Sequence, residues 1–270
     1  MPYVSNTELI KNFVDTVDFY VNDGNLRKAI GESIKATKFY AADDYPPMPE
    51  KKFAQTKISV IKRRTFETAA YLKKRYPETK IAVHNFASAI IPGGRIKSGS
   101  RSQENALCRC STLYPVLGTD DNFKRYYDVN KAKGNDLSDD ACIYTPDIVV
   151  CKSDTDLPER LPREEWITVD VMTIAAPSLR KISVDDNELA ALHEKRLRHM
   201  FTVLVDNGAE IFVTGAFGCG VFRNNPEVVA QVYKKILAEF DGYFKEVIFA
   251  IYCKPSEVGN YETFRKILAE

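Results

Sequence analysis

The sequence has few of the features that mark membrane, secreted or nucleic-acid-binding proteins. The first residues, MPYVSNTELIKNF, contain no basic segment followed by an apolar run, and no uncharged apolar stretch approaches the length of a membrane span. The 38 Lys and Arg residues balance 37 Asp and Glu residues. This balance supplies no field for general attraction to nucleic acids or membranes. We therefore expect a cytoplasmic, monomeric protein that binds neither membranes nor nucleic acids in general.

Cysteine is too scarce for a disulfide scaffold, since only six occur among 270 residues. We expect them to be reduced and mostly buried. The pair Cys108-x-Cys110 is one residue short of the usual zinc spacing and has no second pair or suitable His nearby. The sequence therefore predicts no metal site, and no ligand-spaced cluster implies an organic cofactor.

Short apolar runs alternate with amphipathic segments through most of the chain, which is typical of an α/β sandwich with a largely parallel or mixed sheet. The predicted strands are residues 80–86, 142–151, 167–176, 209–217 and 246–253. The predicted helices are residues 65–76, 102–117, 186–208, 225–240 and 260–270. Residues 5–40 are predicted to be helical, and the Pro-rich stretch 45–52 is the predicted linker. We expect a helical extension over 1–50 and a single α/β domain over 51–270.

Two loops at predicted strand ends stand out, because ligands of such sheets bind where the carboxyl ends of strands lead into helices. The first, NFASAIIPGGRIKSGSRSQEN, follows strand 80–86. The second, TGAFGCGVFRNNPEVV, follows strand 209–217 and carries Gly215, Gly218 and Gly220 before a predicted helix capped by Asn225. Small residues let backbone amides approach a ligand, and a helix N-terminus attracts anions. The pair predicts a diphosphate site, although glycines in such loops also make ordinary tight turns.

Two familiar nucleotide motifs do not fit these loops. Neither loop has the Gly-Lys-Ser/Thr of a Walker loop, and GAFGCG runs Gly-x-x-Gly-x-Gly rather than Gly-x-Gly-x-x-Gly. A nicotinamide oxidoreductase would also need an acidic ribose ligand about 20 residues past the glycines, and that position falls inside an amphipathic helix near Glu239.

The residues themselves resemble a known family, the microbial type of poly(ADP-ribose) glycohydrolase, a macrodomain. The stretches that carry the likeness are NFASA, PGG, GSRSQENALCRCSTLYPVL, IYTPDIVV, VDVMTIAAPSLR and GAFGCGVFRNNPEVVA. They cover most of residues 80 to 240 in the order of the family. The resemblance implies a macrodomain-like three-layer sandwich with a mixed central sheet, an N-terminal helical extension and a cleft for ADP-ribose or an ADP-ribosylated macromolecule.

The resemblance also implies roles for individual residues. The second loop would grip the diphosphate, Phe222 would pack on the ribose or base of the nucleotide, and Asn85 would face the distal ribose. Glu104 would orient the ribose hydroxyls, and residue 105 would be the acid/base. The predicted ADP-ribose-binding residues are Asn85, Gly93, Gly94, Arg95, Gln103, Gly215, Ala216, Phe217, Gly218, Cys219, Gly220, Val221 and Phe222.

The sequence departs from the family pattern Gly-Gly-Gly…Gln-Glu-Glu at two positions. Arg95 stands at the third glycine, where it would pair with phosphate oxygens, and Asn105 stands at the second glutamate. An amide cannot donate and recover a proton at neutral pH, and general acid/base catalysis contributes about 10² to 10⁴ in rate. We therefore expect Glu104 and Asn105 to be the catalytic pair of a weakened glycohydrolase, with Glu104 transferring the proton.

A catalytically silent reader of ADP-ribose is the alternative hypothesis, because binding needs the glycine loops and not the acid. Against hydrolysis, a helix N-terminus stabilises a carboxylate and should lower the pKa of Glu104. An ordinary first-turn helix acid would also explain Glu104. A hydrolysis assay and a calorimetric titration would separate the two functions.

Three histidines and one cysteine are predicted to have no catalytic role. His84 lies within a predicted strand and should be a packed, hydrogen-bonded core residue. His193 and His199 lie among charges in a predicted helix and should be solvated. Cys219 lies inside the second loop without an identifiable partner base, so we expect it to allow close backbone approach rather than to act as a nucleophile.

Overall fold

A seven-stranded mixed sheet forms the centre of the protein in a computed structural model that describes residues 4–254 and 256–269. The strands are β1 Lys38–Tyr40, β2 Lys57–Ile61, β3 Ile81–Phe86, β4 Cys142–Val150, β5 Ile167–Ile174, β6 Ile211–Thr214 and β7 Glu246–Ala250. Their order across the sheet is β1-β4-β5-β3-β6-β7-β2. The five strands from β5 to β2 are parallel, whereas β4 runs antiparallel to both of its neighbours, β1 and β5. The predicted mixed sheet is thus confirmed.

Helices cover both faces of the sheet. They are α1 Asn6–Asn22, α2 Gly24–Ala36, α3 Thr65–Arg75, α4 Gln103–Cys110, α5 Leu113–Leu117, α6 Asp120–Asn122, α7 Asp128–Lys133, α8 Asp186–Asp206, α9 Pro226–Glu239 and α10 Gly259–Leu268. A π-helical turn, Phe123–Tyr127, joins α6 to α7, and short 3-10 helices lie at Ile96–Ser98 and Arg163–Glu165. Among the described residues, no helix is both long and apolar enough to cross a membrane.

Alternating strand residues build two hydrophobic cores, one on each side of the sheet, because successive side chains of a strand point to opposite faces. On β6, Phe212 joins the core under α8, α9 and α10, whereas Ile211 and Val213 join the core under α3 and α4. The strand β7 divides in the same way, with Phe249 on the first side and Ile248 on the second. This arrangement is the predicted three-layer sandwich.

The predicted helical segment at the N-terminus is two helices that break at Asp23, whose side chain caps α2. Its last residues differ from the prediction, since Lys38–Tyr40 form the edge strand β1 and pair with β4. The buried Lys152 holds α1 to the sheet, because its ammonium donates hydrogen bonds to Asn12, to Thr16 and to the carboxylate of Asp15. The boundary at residue 50 stays a prediction.

The predicted helix 102–117 is interrupted at Ser111. The hydroxyl of Ser111 donates to the Leu107 carbonyl, and Ser111 forms an isolated bridge with Val150. The Thr112 amide then donates to the Val149 carbonyl at 3.0 Å. Pairing with the end of β4 therefore replaces one turn of helix, a tertiary contact that periodicity does not reveal.

The prediction for two of the three histidines was wrong. His193 and His199 are fully buried, and Arg196 between them is 1% exposed with an ion pair to Asp140 at 3.0 Å. Some residues of the charged run on α8 therefore face the core, because a 21-residue helix packed on the sheet must bury one side. His84 is buried and hydrogen-bonded to Thr214, as predicted.

Candidate functional site

The two glycine loops leave neighbouring parallel strands at the same edge of the sheet. The first loop (residues 87–102) follows β3, and the second loop (residues 215–225) follows β6, which pairs with β3 from Ile81 to Val83. Phe86, the last residue of β3, contacts the second loop, since its ring centroid lies 5.5 Å from that of Phe217. The edge at which strand ends meet is the usual ligand position in such sheets.

Glu104 lies in the first turn of α4 and points its carboxyl group into the first loop. One oxygen accepts the Ser88 amide at 2.9 Å and the other accepts the Gly93 amide at 3.1 Å. Only 2% of the residue is exposed. The loop therefore wraps around this carboxyl group, and a Cβ at Gly94 would lie 3.1 Å from the oxygen that accepts the Ser88 amide.

Burial raises the pKa of Glu104 to about 8, although hydrogen bonds from Ser88, Gly93 and Asn85 act in the opposite direction. The expectation that the helix N-terminus would lower this pKa was wrong. Removing the Glu104 carboxylate from water costs more free energy than the helix N-terminus and the loop amides return by stabilising its charge. At neutral pH Glu104 consequently carries a proton that it can donate.

Asn105 is fully buried, and its side chain makes hydrogen bonds within the protein. Its amide nitrogen donates to the Gly93 carbonyl, and its oxygen accepts the Ser102 hydroxyl at 2.8 Å. Together with Ser102 it forms the capping box of α4. The residue therefore closes the first loop on the helix that carries Glu104, and as an amide it transfers no proton.

Gln103 and Asn85 lie behind the carboxyl group. Gln103 accepts the Phe86 amide at 2.9 Å and donates to the His84 carbonyl at 2.6 Å, so its side chain clamps the end of β3. Asn85 is fully buried and donates to Thr173 of β5 at 3.2 Å. Its side-chain oxygen has no hydrogen-bond partner among the described residues.

The glycines of the first loop have conformations that few other residues tolerate. Gly93 and Gly94 have φ values of +68° and +52°, in the left-handed region. A Cβ at Gly93 would also lie 2.8 Å from the ring of Tyr114. Arg95, which replaces a third glycine of the motif, is exposed and directly precedes the 3-10 helix Ile96–Ser98.

The second loop closes on itself around Gly218, which has a φ of +78°. The Asn224 amide donates to the Gly218 carbonyl at 3.0 Å, and the Cys219 amide donates to Ala216 at 3.1 Å. Several of its backbone amides donate no hydrogen bond within the described part of the chain, among them those of Gly218, Gly220, Val221 and Phe222. Such unused amides, followed by the N-terminus of α9, are the donors that an anion requires.

The side chains of the second loop divide between core and surface. Phe217 is fully buried, with its ring 4.4 Å from that of His84, so only its backbone belongs to the loop surface. Val221 is 60% exposed, and Phe222 is partly buried. Burial raises the pKa of the Cys219 thiol, which therefore stays protonated and is a poor nucleophile.

A third loop, which follows β5, completes the region and was not predicted as part of it. The Leu179 amide donates to the Phe222 carbonyl at 2.9 Å, and a Cβ at Gly218 would lie 2.8 Å from the methyl group of Ala176. The second loop thus crosses the end of β3 to reach its neighbour β5. The strand-end rule applied to residues 167–176 would have indicated this loop.

Another concavity, of about 480 Å³, lies beside α3 and contains none of the predicted site residues. Several of its charged groups already have partners, since Arg64 pairs with Asp156 and Asp154 accepts the Phe66 amide at 2.8 Å. The described residues contain no group of three or more His, Cys, Asp or Glu side chains arranged to hold a metal ion.

A family model of the catalytic domain of microbial-type PARG, poly(ADP-ribose) glycohydrolase, matches residues 10–153. The chain belongs to this family. The matched range contains most of α1, the whole first loop and, in α4, Glu104 and Asn105. The family assignment confirms the resemblance drawn from the motifs, and its members are glycohydrolases.

Solved PARG structures extend the likeness to nearly the whole chain. The PARG of Thermomonospora curvata is 25% identical with a TM-score of 0.85, covering 96% of this chain and 98% of that one. The same enzyme bound to the inhibitor ADP-HPD is 26% identical with a TM-score of 0.82 over the same shares. The PARG of Deinococcus radiodurans in complex with ADP-ribose is 27% identical with a TM-score of 0.76, covering 88% of this chain and 95% of that one. A comparison with curated protein sequences found no match.

The similarity to the PARG structures extends beyond the residues that the family model matches, which end before the second and third loops. Seven strands in a mixed sheet between two layers of helices form the macrodomain-like fold that these matches share.

Proposed function

We propose that this protein hydrolyses the O-glycosidic bond of ADP-ribose in an ADP-ribosylated macromolecule, with Glu104 as the acid and base. One observation carries the proposal: the buried carboxyl group of Glu104 has a pKa raised to about 8 and lies within the loop that follows β3. The PARG structures bound to ADP-ribose and ADP-HPD support the choice of ligand.

The surroundings of Glu104 suit both halves of such a reaction. Protonated Glu104 would donate its proton to the leaving oxygen as the bond from that oxygen to the ribose carbon breaks. The carboxylate would then be stabilised by the amides of Ser88 and Gly93 until it accepts a proton from the attacking water. The water oxygen forms the new bond to the ribose carbon, and Glu104 returns to its protonated state.

Binding would fall to the second and third loops. We propose that the free amides of Gly218, Gly220, Val221 and Phe222 hold the diphosphate, that the ring of Phe222 lies against the nucleotide, and that Arg95 pairs with phosphate oxygens. The remaining proposed contacts are Asn85, Gly93, Gly94, Gln103, Gly215, Ala216, Phe217 and Cys219. For Gln103 and Phe217 the contact would come from the backbone, since their side chains serve the fold.

A reader that binds ADP-ribose without cleaving it is the second candidate. Asn105 favours it, because this amide occupies the position of the second glutamate and is fully engaged with Gly93 and Ser102. Glycosidases usually divide proton transfer and attack between two carboxyl groups, and the first loop contains no acidic residue of its own.

The deciding experiment follows ADP-ribose release from an ADP-ribosylated protein by wild type, Glu104→Gln and Asn105→Glu. The glycohydrolase hypothesis expects turnover by wild type and a fall of about 10² to 10⁴ in Glu104→Gln. Glu188→Gln is the matched control, since Glu188 is an exposed first-turn glutamate of α8. Turnover by Asn105→Glu alone, with ADP-ribose binding by all three proteins, would establish the reader.

We further propose that the protein is a cytoplasmic monomer, with a helical extension over 1–50 and the ADP-ribose-binding domain over 51–270. Its six free cysteines, four of them buried, fit a reducing compartment. Sedimentation analysis at working concentration tests the monomer.

A further inference from the structure

Asn224 ends the second loop and joins it to two other parts of the structure. The residue is 2% exposed. Its side-chain nitrogen donates to the carbonyl of Pro177 in the third loop at 2.8 Å and to that of Phe222 at 3.1 Å. Its backbone amide closes the second loop on Gly218 at 3.0 Å. One amide side chain therefore connects the end of the second loop with the loop after β5.

The partner of the Asn224 oxygen is the buried imidazole of His193, whose Nε2 lies 2.6 Å away. Because the Asn224 nitrogen faces two carbonyl oxygens, its oxygen must be the acceptor, and Nε2 must carry the hydrogen. The other ring nitrogen has no hydrogen-bond partner among the described residues. His193 is therefore a neutral donor, in agreement with the lowering of its pKa to about 4 by burial.

The second loop is packed directly on this pair. A Cβ at Gly218 would lie 2.8 Å from the Asn224 oxygen. Phe217, the residue before Gly218, places its ring edge-on to His193 at 5.7 Å between centroids. Asn224 and His193 therefore lie under the second loop and fix the position of its free amides, those of Gly218, Gly220, Val221 and Phe222.

We propose that Asn224 and His193 are positioning residues that hold the second loop in the conformation in which its free amides bind the diphosphate of ADP-ribose. The inference rests on the proposed function, because that function supplies the ligand. Neither side chain transfers a proton or touches a reacting atom in this hypothesis. Their loss should therefore weaken binding and raise KM while the chemical step keeps its rate.

Three variants separate the effect of the hydrogen bonds from that of side-chain size. Asn224→Asp keeps the shape but turns a carboxylate oxygen toward the carbonyls of Pro177 and Phe222, which repel it. His193→Phe keeps the ring and removes the donor, whereas His193→Gln keeps a donor. Ser33→Ala is the control for general destabilisation, because it removes the hydrogen bond that the buried Ser33 of helix α2 donates to the Pro146 carbonyl.

The measurements are the Kd for ADP-ribose by calorimetry, KM and kcat, and hydrogen exchange of the bonded loop amides of Cys219, Arg223 and Asn224. We expect Asn224→Asp and His193→Phe to raise Kd and KM at least tenfold with kcat within threefold, and to speed exchange in the loop. His193→Gln should stay within threefold of wild type, and Ser33→Ala should change only thermal stability.

Unchanged Kd and unchanged loop exchange in both Asn224→Asp and His193→Phe would overturn the inference. If one variant fails to fold, the other and the His193→Gln rescue decide the question. If wild type binds no ADP-ribose, the proposed function fails, and loop exchange alone then shows whether the pair holds the loop. Faster exchange in the two variants would support the positioning role, and equal exchange would refute it.

Discussion

Gly99 of the first loop lies directly against Asn6 of α1, and a Cβ at residue 99 would stand 2.8 Å from the Asn6 Cα. The neighbouring Arg101 donates to the Asn6 side chain at 2.7 Å. The N-terminal helix therefore contacts the same loop that encloses Glu104. The extension is part of the framework of the candidate site rather than an appendage to the sheet.

Gly99→Ala should lower the free energy of unfolding by about 2–4 kcal/mol, because the new methyl group adds a clash with the α1 backbone to the strain of a positive φ. Urea denaturation measures the change. Gly134→Ala is the matched control, since Gly134 has a φ of +63° with no atom within 4 Å of a built Cβ. It should lose only about 1 kcal/mol. Equal losses in the two variants would contradict the contact.

The rate of hydrolysis should fall as pH rises through about 8. Burial raises the pKa of Glu104 to about 8, so the protonated form that donates to the leaving group is lost above that value. Steady-state kcat/KM from pH 6 to 10 tests this. The pKa values of His84 and His193 are lowered to about 3 and about 4, so neither histidine can cause a fall in kcat/KM near pH 8. A rate that rises through pH 8 would exclude Glu104 as the acid.

Glu104 should also make folding stability depend on pH. Its pKa in the folded state lies above the ordinary glutamate value of 4.5, so the folded state holds the proton more tightly. The stabilisation is complete below about pH 4.5 and is lost as pH rises toward 8, at up to about 1.4 kcal/mol per pH unit. Chemical denaturation at pH 5 and pH 8 should show a smaller loss for Glu104→Gln than for wild type. An identical pH dependence in both proteins would mean that Glu104 is ionised throughout.

Gly218→Leu should abolish ADP-ribose binding, which we expect to be micromolar in wild type, about −8 kcal/mol. A side chain at this residue meets Ala176 and Asn224 at 2.8 Å, so the loop must move. Calorimetric titration measures the loss. Gly208→Leu shares the positive φ, at +73°, but has open space, and it should keep wild-type affinity. Unchanged affinity in Gly218→Leu would remove the second loop from the site.

Lys152→Met should destabilise the docking of α1. The Lys152 ammonium is fully buried and satisfies the Asp15 carboxylate and the side chains of Asn12 and Thr16. Each hydrogen bond lost with the ammonium contributes about 0.5–1.5 kcal/mol. Hydrogen exchange in α1 and urea denaturation report the change. Lys28→Met, at an exposed lysine of α2, is the control and should be nearly neutral.

The larger secondary-structure elements were predictable because each carries its own periodicity. Residues 80–86 and 186–208 became β3 and α8 within a few residues. Both edge strands, β1 and β2, were missed, since three and five residues contain too little pattern to distinguish strand from loop. The burial of His193 was also missed, because a charged run shows which residues are polar but not which side of the helix meets the sheet.

Local chemistry in the sequence was enough to locate the two glycine loops, the cap of α9 and the Gln103-Glu104-Asn105 segment, because turns, caps and motifs depend on neighbours along the chain. The tertiary structure alone decided the protonation of Glu104 and the joining of the loops by Asn224. Both depend on desolvation and on hydrogen bonds between residues far apart in sequence, from Ser88 and Gly93 to Glu104 and from Pro177 and His193 to Asn224. A pKa or a loop conformation is a property of the surroundings, and only folding brings those surroundings together.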